Sequence, residues 1–223
     1  MQIDIRADVK ELTKSLNRIQ RKQIPFATSK ALNATAFDVR KSLQDGLDVH
    51  LDRPTPYTKR GVQVEKSTKK NLVAKVGFRS RTFGKGQGTI TQAEYMKLQI
   101  KGGLRTPKGN AIPVPIVKNL KLNKYGSIRR NKINNALGNE DKFFSGKPKG
   151  AKGKGTGEGI WERYGGKRNP KIKMIMSWNN NTDYQARYPF KNIAMRSVRN
   201  NFRKRFDNAL QQALSTARWR GSF

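Results

Sequence analysis

Eight apolar residues near the C-terminal end, Phe190, Ala194, Val198, Phe202, Phe206, Leu210, Leu214 and Ala217, recur at steps of four and finally three. That spacing marks one face of a helix. At 1.5 Å per residue such a helix extends roughly 40 Å. An apolar stripe of that length must be covered by something equally long. Ile193, Ala209 and Ala213 widen the stripe, and Pro189 suits the entry to a first turn.

A second helix is expected from Pro25. Leu32, Ala36, Val39, Leu43 and Leu47 form its apolar stripe, while Ala27, Ala31, Ala34 and Ala36 keep it slim enough for a helix or sheet to approach closely. Ahead of it, residues 8–22 read as a short amphipathic helix capped by Asp8, with Val9, Leu12, Leu16 and Ile19 in line.

Helix formation stops at LDRPTPYTKRG, residues 51–61. Each proline lacks the N–H that a helix interior requires and pushes its predecessor toward extended geometry. Period-two alternation follows. Val62 and Val64, then Leu72, Ala74, Val76 and Phe78, predict a β-hairpin with one buried face. A second strand pair is expected at GIWERY and KIKMIMSW, where Ile172, Met174, Met176 and Trp178 alternate. Between them, QAEYMKLQI suits a short helix or an extended segment, IPVPIV suits an edge strand or polyproline-like stretch, and 128–137 suits a brief helix.

Residues 145–159, SGKPKGAKGKGTGEG, offer no large apolar side chain to offset ordering entropy and are expected to be a mobile loop. The reading is therefore one α+β domain over 1–223, with long helices packed on a small antiparallel sheet. An irregular basic insertion is expected over 79–158.

Charge narrows the partners. Lys and Arg number 48 against 15 Asp and Glu, a formal net charge of +33. An excess this large repels itself and calls for a polyanion or an acidic protein surface nearby. It is unevenly spread. Residues 1–60 carry 12 basic and 7 acidic groups, whereas 118–171 carry 15 and 4, and 187–223 carry 9 and 1. Candidate contacts are Arg129, Arg130, Lys147, Lys149, Lys152 and Lys154 in the insertion, and Arg196, Arg199, Arg203 and Lys204 on the last helix. No zinc-finger spacing, aromatic RNA-binding strand or helix-turn-helix accompanies them, so non-specific phosphate contact is the form of nucleic-acid binding to expect.

Catalytic chemistry finds little support. His50 is the single histidine and cysteine is absent, which removes thiolate nucleophiles, disulfides and thiolate metal sites. Gly153-Lys154-Gly155-Thr156 interposes a glycine where a phosphate-binding loop needs Lys followed by Ser or Thr, and Gly84, Gly86 and Gly88 stop short of the dinucleotide pattern. No catalytic residue, metal ligand or cofactor is expected. Neither is a membrane span or a secretory signal, since MQIDIRADVKELTK lacks an apolar core.

KALNATAFDVRKSLQ, LDRPTPYTKRGVQVEKSTKKNLVAKVGF and QAEYMKLQIKGGLR together resemble the minor tail protein Z group of bacteriophages, related to gp10-like tail-completion and neck proteins. The most specific piece is Asp52-Arg53-Pro54-Thr55-Pro56-Tyr57-Thr58, with a weaker echo in Tyr188-Pro189-Phe190. The resemblance implies a structural virion subunit at the head–tail junction, present as a ring of copies. Portal or adaptor and tail subunits would be its neighbours, with packaged DNA close by. It makes Asp52, Arg53, Pro54, Thr55, Pro56 and Tyr57 candidate interface residues. The alternative reading is a stand-alone, non-specific nucleic-acid-binding protein.

Overall fold

The computed structural model describes residues 1–7, 18–86, 90–107, 111–128, 130–148, 157–166, 168, 169 and 171–219. Two compact units emerge rather than one domain: Met1–Gly102 with Gln185–Phe223, and Gly103–Tyr184. The second replaces most of the expected irregular insertion with a sheet and a core of its own.

In the first unit, β1 (Gln2–Arg6), β2 (Val62–Glu65) and β3 (Val73–Phe78) form an antiparallel sheet in the order β1-β3-β2. Register places Ile5 opposite Ala74, Ile3 and Val64 on either side of Val76, and Val62 opposite Phe78. The apolar members of three strands thus share one face, because side chains repeat every second residue.

That face lies under α1 (Arg18–His50), whose Leu32, Ala36, Val39, Leu43 and Leu47 are all fully buried. Burial of a Leu or Val side chain contributes roughly 1.5–3 kcal/mol, so this stripe is a large part of what orders the unit. Pro25 sits inside α1 rather than opening it. Its neighbours Ile24 and Ala27 are buried, and that packing offsets the roughly 3 kcal/mol helix penalty of an interior proline. Of the short helix expected over 8–22, residues 8–17 lie outside the described residues, and Arg18 onward belongs to α1.

The chain then forms the single-turn helix α2 (Pro56–Arg60), and further on α3 (Gln92–Lys101), where Glu94 accepts the Thr91 N–H at 3.1 Å. The last helix, α5 (Phe190–Trp219), runs antiparallel to α1. Ser42 meets Ser197 at 3.1 Å, Asp38 holds Arg205 through two 2.8 Å bonds, and Lys30 donates to Gln212 at 2.6 Å. The pair approach closely at Gly46, where an added Cβ would lie 2.7 Å from Ile193 Cδ1.

In the second unit, β4 (Gly103–Arg105) pairs with β9 (Thr182–Tyr184). A four-stranded antiparallel sheet follows the order β5-β8-β7-β6, from Ile112–Pro115, Lys171–Asn179, Gly159–Tyr164 and Phe143–Gly146 respectively. Pro113 and Pro115 sit on edge strand β5, where a missing N–H costs no ladder bond on the outer side.

α4 (Arg130–Leu137) contributes Ala136 to a core of Leu120, Ile160, Ile175 and Met176. The expected alternation of β8 is broken. Ile160 pairs with Met176 but Trp161 with Met174, so Ile175 is the extra residue of a β-bulge. Ile175 and Met176 are therefore both buried, and Ile172 is left exposed.

Candidate interaction surfaces

α1 ends because the chain must reverse into Pro54 and Pro56. Leu51 N–H donates to Leu47 C=O at 3.0 Å, and Arg53 then takes φ 48°, a left-handed conformation that a residue with a Cβ adopts at a cost. Its guanidinium holds Asp52 at 3.1 and 3.2 Å, and that carboxylate raises the Arg53 pKa through hydrogen bonding and charge.

Thr55 caps α2: its Oγ1 accepts the Thr58 N–H at 3.2 Å, and Pro56 occupies the first helical position, where its missing N–H is harmless. Tyr95 OH donates to Thr58 Oγ1 at 3.0 Å, which leaves the Thr58 hydroxyl to donate to Thr55 Oγ1 at 3.0 Å. Burial pushes the Tyr95 phenol up, against the opposing pull of its bond to Thr58.

Tyr57 stacks on Tyr95 with ring centroids 6.5 Å apart and remains half exposed. Asp48 and Gln44 of α1 grip Lys59, through its ammonium at 2.7 Å and its carbonyl at 3.0 Å. The candidate residues 52–57 thus form one short, braced projection.

Behind it lies an aromatic plug. Tyr188 OH donates to Leu43 C=O at 2.6 Å, and its ring meets Phe78 at 6.1 Å and Phe190 at 6.3 Å. Burial drives the Tyr188 phenol well above its ordinary range. His50 is exposed and meets the edge of Tyr188 at 6.3 Å.

On α5, Arg196, Arg199 and Arg203 fall at i, i+3 and i+7 and so share a flank, whereas Lys204 is turned about 100° further round. All four are exposed and make no ion pair among the described residues. Arg205, the neighbouring cation, is consumed by Asp38.

Two of the six insertion candidates fall within the described residues. Lys147 is exposed after β6, Arg130 opens α4, and Arg129, Lys149, Lys152 and Lys154 lie outside the described residues, as does 149–156 of the expected mobile loop. Three described cations of the second unit serve internal ends. Arg163 donates to the carbonyls of Glu140, Asp141 and Phe143 and lies 4.7 Å over the Phe144 ring, while Lys142 and Lys173 flank Glu162 at 3.3 and 3.2 Å. Burial raises the Glu162 pKa, but the two lysines outweigh it and hold the carboxyl below its usual range.

A feature the sequence reading missed is a pair of exposed phenylalanines on α1, Phe26 and Phe37, with Lys69 and Lys66 over their rings at 4.9 and 5.5 Å. The available signal was their position off the Leu32–Leu47 stripe. Among the described residues, no group of three or more His, Asp or Glu side chains is placed to hold a metal ion, and no helix is long and apolar enough to cross a membrane. Comparison of the chain with protein-family models, with curated proteins and with solved structures returned no match.

Proposed function

We propose that this chain is a structural subunit of a bacteriophage virion, a tail-completion or neck component that joins the head connector to the tail as one copy in a ring. The observation that carries the reading is the braced turn at 52–58. It coincides with the heptapeptide on which the resemblance to the minor tail protein Z group rests, and it presents Tyr57 on a support that is already ordered. A pre-organised projection loses little entropy on binding, and a half-exposed tyrosine is a favoured anchor for a protein interface. In a closed ring each subunit uses two different patches, and the turn would serve as one of them.

The arginine flank of α5 supplies the complementary element, a charged surface facing packaged DNA or an acidic neighbour. Antibody labelling of purified virions tests the assignment: signal at the neck or tail is expected, and particles labelled at neither place would sink it. The second reading, a free-standing nucleic-acid binder, draws on the same arginines. It requires tight duplex binding by the isolated chain, with log affinity falling linearly against log salt. The virion role instead predicts stable association only with connector or tail proteins.

A further inference from the structure

The far end of the α1–α5 pair, about 36 Å along α1 from the turn, carries an open groove of about 770 Å³. Gln23, Phe26 and Lys30 line it from α1, Gln212, Ser215 and Thr216 from α5, and Lys69 from the loop between β2 and β3. Among the described residues that line it, none is a carboxylate.

The groove is held in shape. Ser67 is fixed to α1 through its backbone and its hydroxyl alike: its N–H donates to Asn33 Oδ1 at 2.7 Å, its carbonyl accepts from Asn33 Nδ2 at 3.2 Å and from Ser29 Oγ at 3.1 Å, and its hydroxyl meets Ser29 O at 3.1 Å. Thr68 and Asn71 close the loop between themselves at 2.8 and 3.0 Å. Lys69 is thereby carried on an anchored turn, with its ammonium 4.9 Å over the Phe26 ring. Lys30 spans the two helices through Gln212 and keeps further N–H groups to donate.

We propose that this groove takes an extended acidic segment of a partner protein, with carboxylates on Lys30 and Lys69 and an apolar side chain beside Phe26. The chemistry of the walls selects that occupant. Gln23 offers both a donor and an acceptor, as a peptide backbone requires, and Gln212, whose Oε1 takes the Lys30 ammonium, keeps its N–H groups to donate. Ser215 and Thr216 spend their hydroxyl protons on carbonyls of their own helix, at 3.0 Å to Gln212 O, and so turn acceptor lone pairs outward to peptide N–H groups. A nucleic-acid strand fits less well. Lys69 already covers the ring on which a base would stack, and the two ammoniums among the described lining residues are few for a run of phosphates. Such a site is independent of the virion role, since an acidic segment binds there whatever assembly carries it.

The test uses the full chain and a fluorescein-labelled decapeptide of Asp, Glu and Leu, followed by anisotropy at about 150 mM salt, where long-range attraction is screened. The double variant Lys30→Glu with Lys69→Glu is expected to weaken binding at least tenfold. Phe26→Ala, which leaves the charge unchanged, should weaken it about threefold. The control Lys118→Glu with Lys171→Glu makes the same charge change on exposed residues elsewhere and is expected to stay within twofold.

Equal losses from the two double variants would show diffuse attraction to a basic protein and overturn the site. So would tighter binding of an oligothymidylate of equal charge that shows the same sensitivity to Lys30→Glu with Lys69→Glu. If that double variant melts early, Lys69→Gln reads the same position: about threefold weakening upholds the groove, and no change overturns it.

Discussion

At one end of the α1–α5 pair large rings cluster beside the helices; at the other the helices meet through alanines. Near the turn, Tyr188, Phe78 and Phe190 are almost wholly buried and lock into one another with centroids about 6 Å apart. Towards the groove, Ala27 and Ala31 of α1 face Ala209 and Ala213 of α5. Rings bury far more apolar area than methyl groups, so each residue of the ring cluster contributes more than each alanine. Small residues let backbones approach and leave outward-facing positions free for other duties. The ring-lined end carries the braced projection, and the alanine-lined end carries the open groove.

The largest expected effect falls at the ring end. Phe78→Ala should cost about 3–5 kcal/mol, read as a drop in the urea midpoint, because the cavity left among Tyr188 and Phe190 cannot fully collapse. A loss under about 1 kcal/mol would break the contrast. Next comes the alanine end: Ala31→Leu should cost about 1–3 kcal/mol by forcing the helices apart, where a polar surface position would tolerate the change.

Smaller still is Tyr188→Phe, which removes the 2.6 Å bond to Leu43 C=O and should cost about 1 kcal/mol. This variant also has a pH signature. The folded protein keeps the Tyr188 proton beyond the ordinary value of about 10, whereas the unfolded chain releases it there, so stability is intact below about pH 10 and falls above it. Tyr188→Phe should flatten that fall without abolishing it, since Tyr95 is shifted the same way. The least effect is expected from Asp38→Asn midway along the pair. Its partner Arg205 is exposed, and a change of no more than a degree or two in Tm should follow.

Much of the first unit was legible because its signals are local. The stripes on α1 and α5 and the alternation of Ala74, Val76 and Phe78 each specify an element without reference to the rest of the chain. Strand β1 was not legible: QIDIR holds one buried residue, Ile5, and becomes a strand only by pairing with β3 some 70 residues away.

In the second unit the β7–β8 pair, the edge strand at IPVPIV and the helix within 128–137 were legible, but their joint core was not. Its core joins Leu120, Ala136, Ile160 and Met176 from four separate stretches, and the bulge at Ile175 cancels the period-two pattern that β8 displays on paper. The turn at 52–58 was readable from its prolines. The groove was not, because it needs Lys69 delivered to Phe26 by the Ser67 anchor, a long-range arrangement with no spacing to betray it.

The second unit leaves the chain as it entered, since Gly103–Arg105 lies in register beside Thr182–Tyr184. Two strands paired in this way bring the ends of the whole intervening stretch to within about 5 Å of each other. A hairpin turn of a few residues could bridge that gap, and lengthening or shortening what lies beyond it changes the closure entropy only slowly. The stem is thus a splice point. A cassette can be exchanged, trimmed or omitted there while the helix pair and its sheet keep their own core, and the chain's unevenly spread basic charge can be altered without redesigning the part that folds around α1.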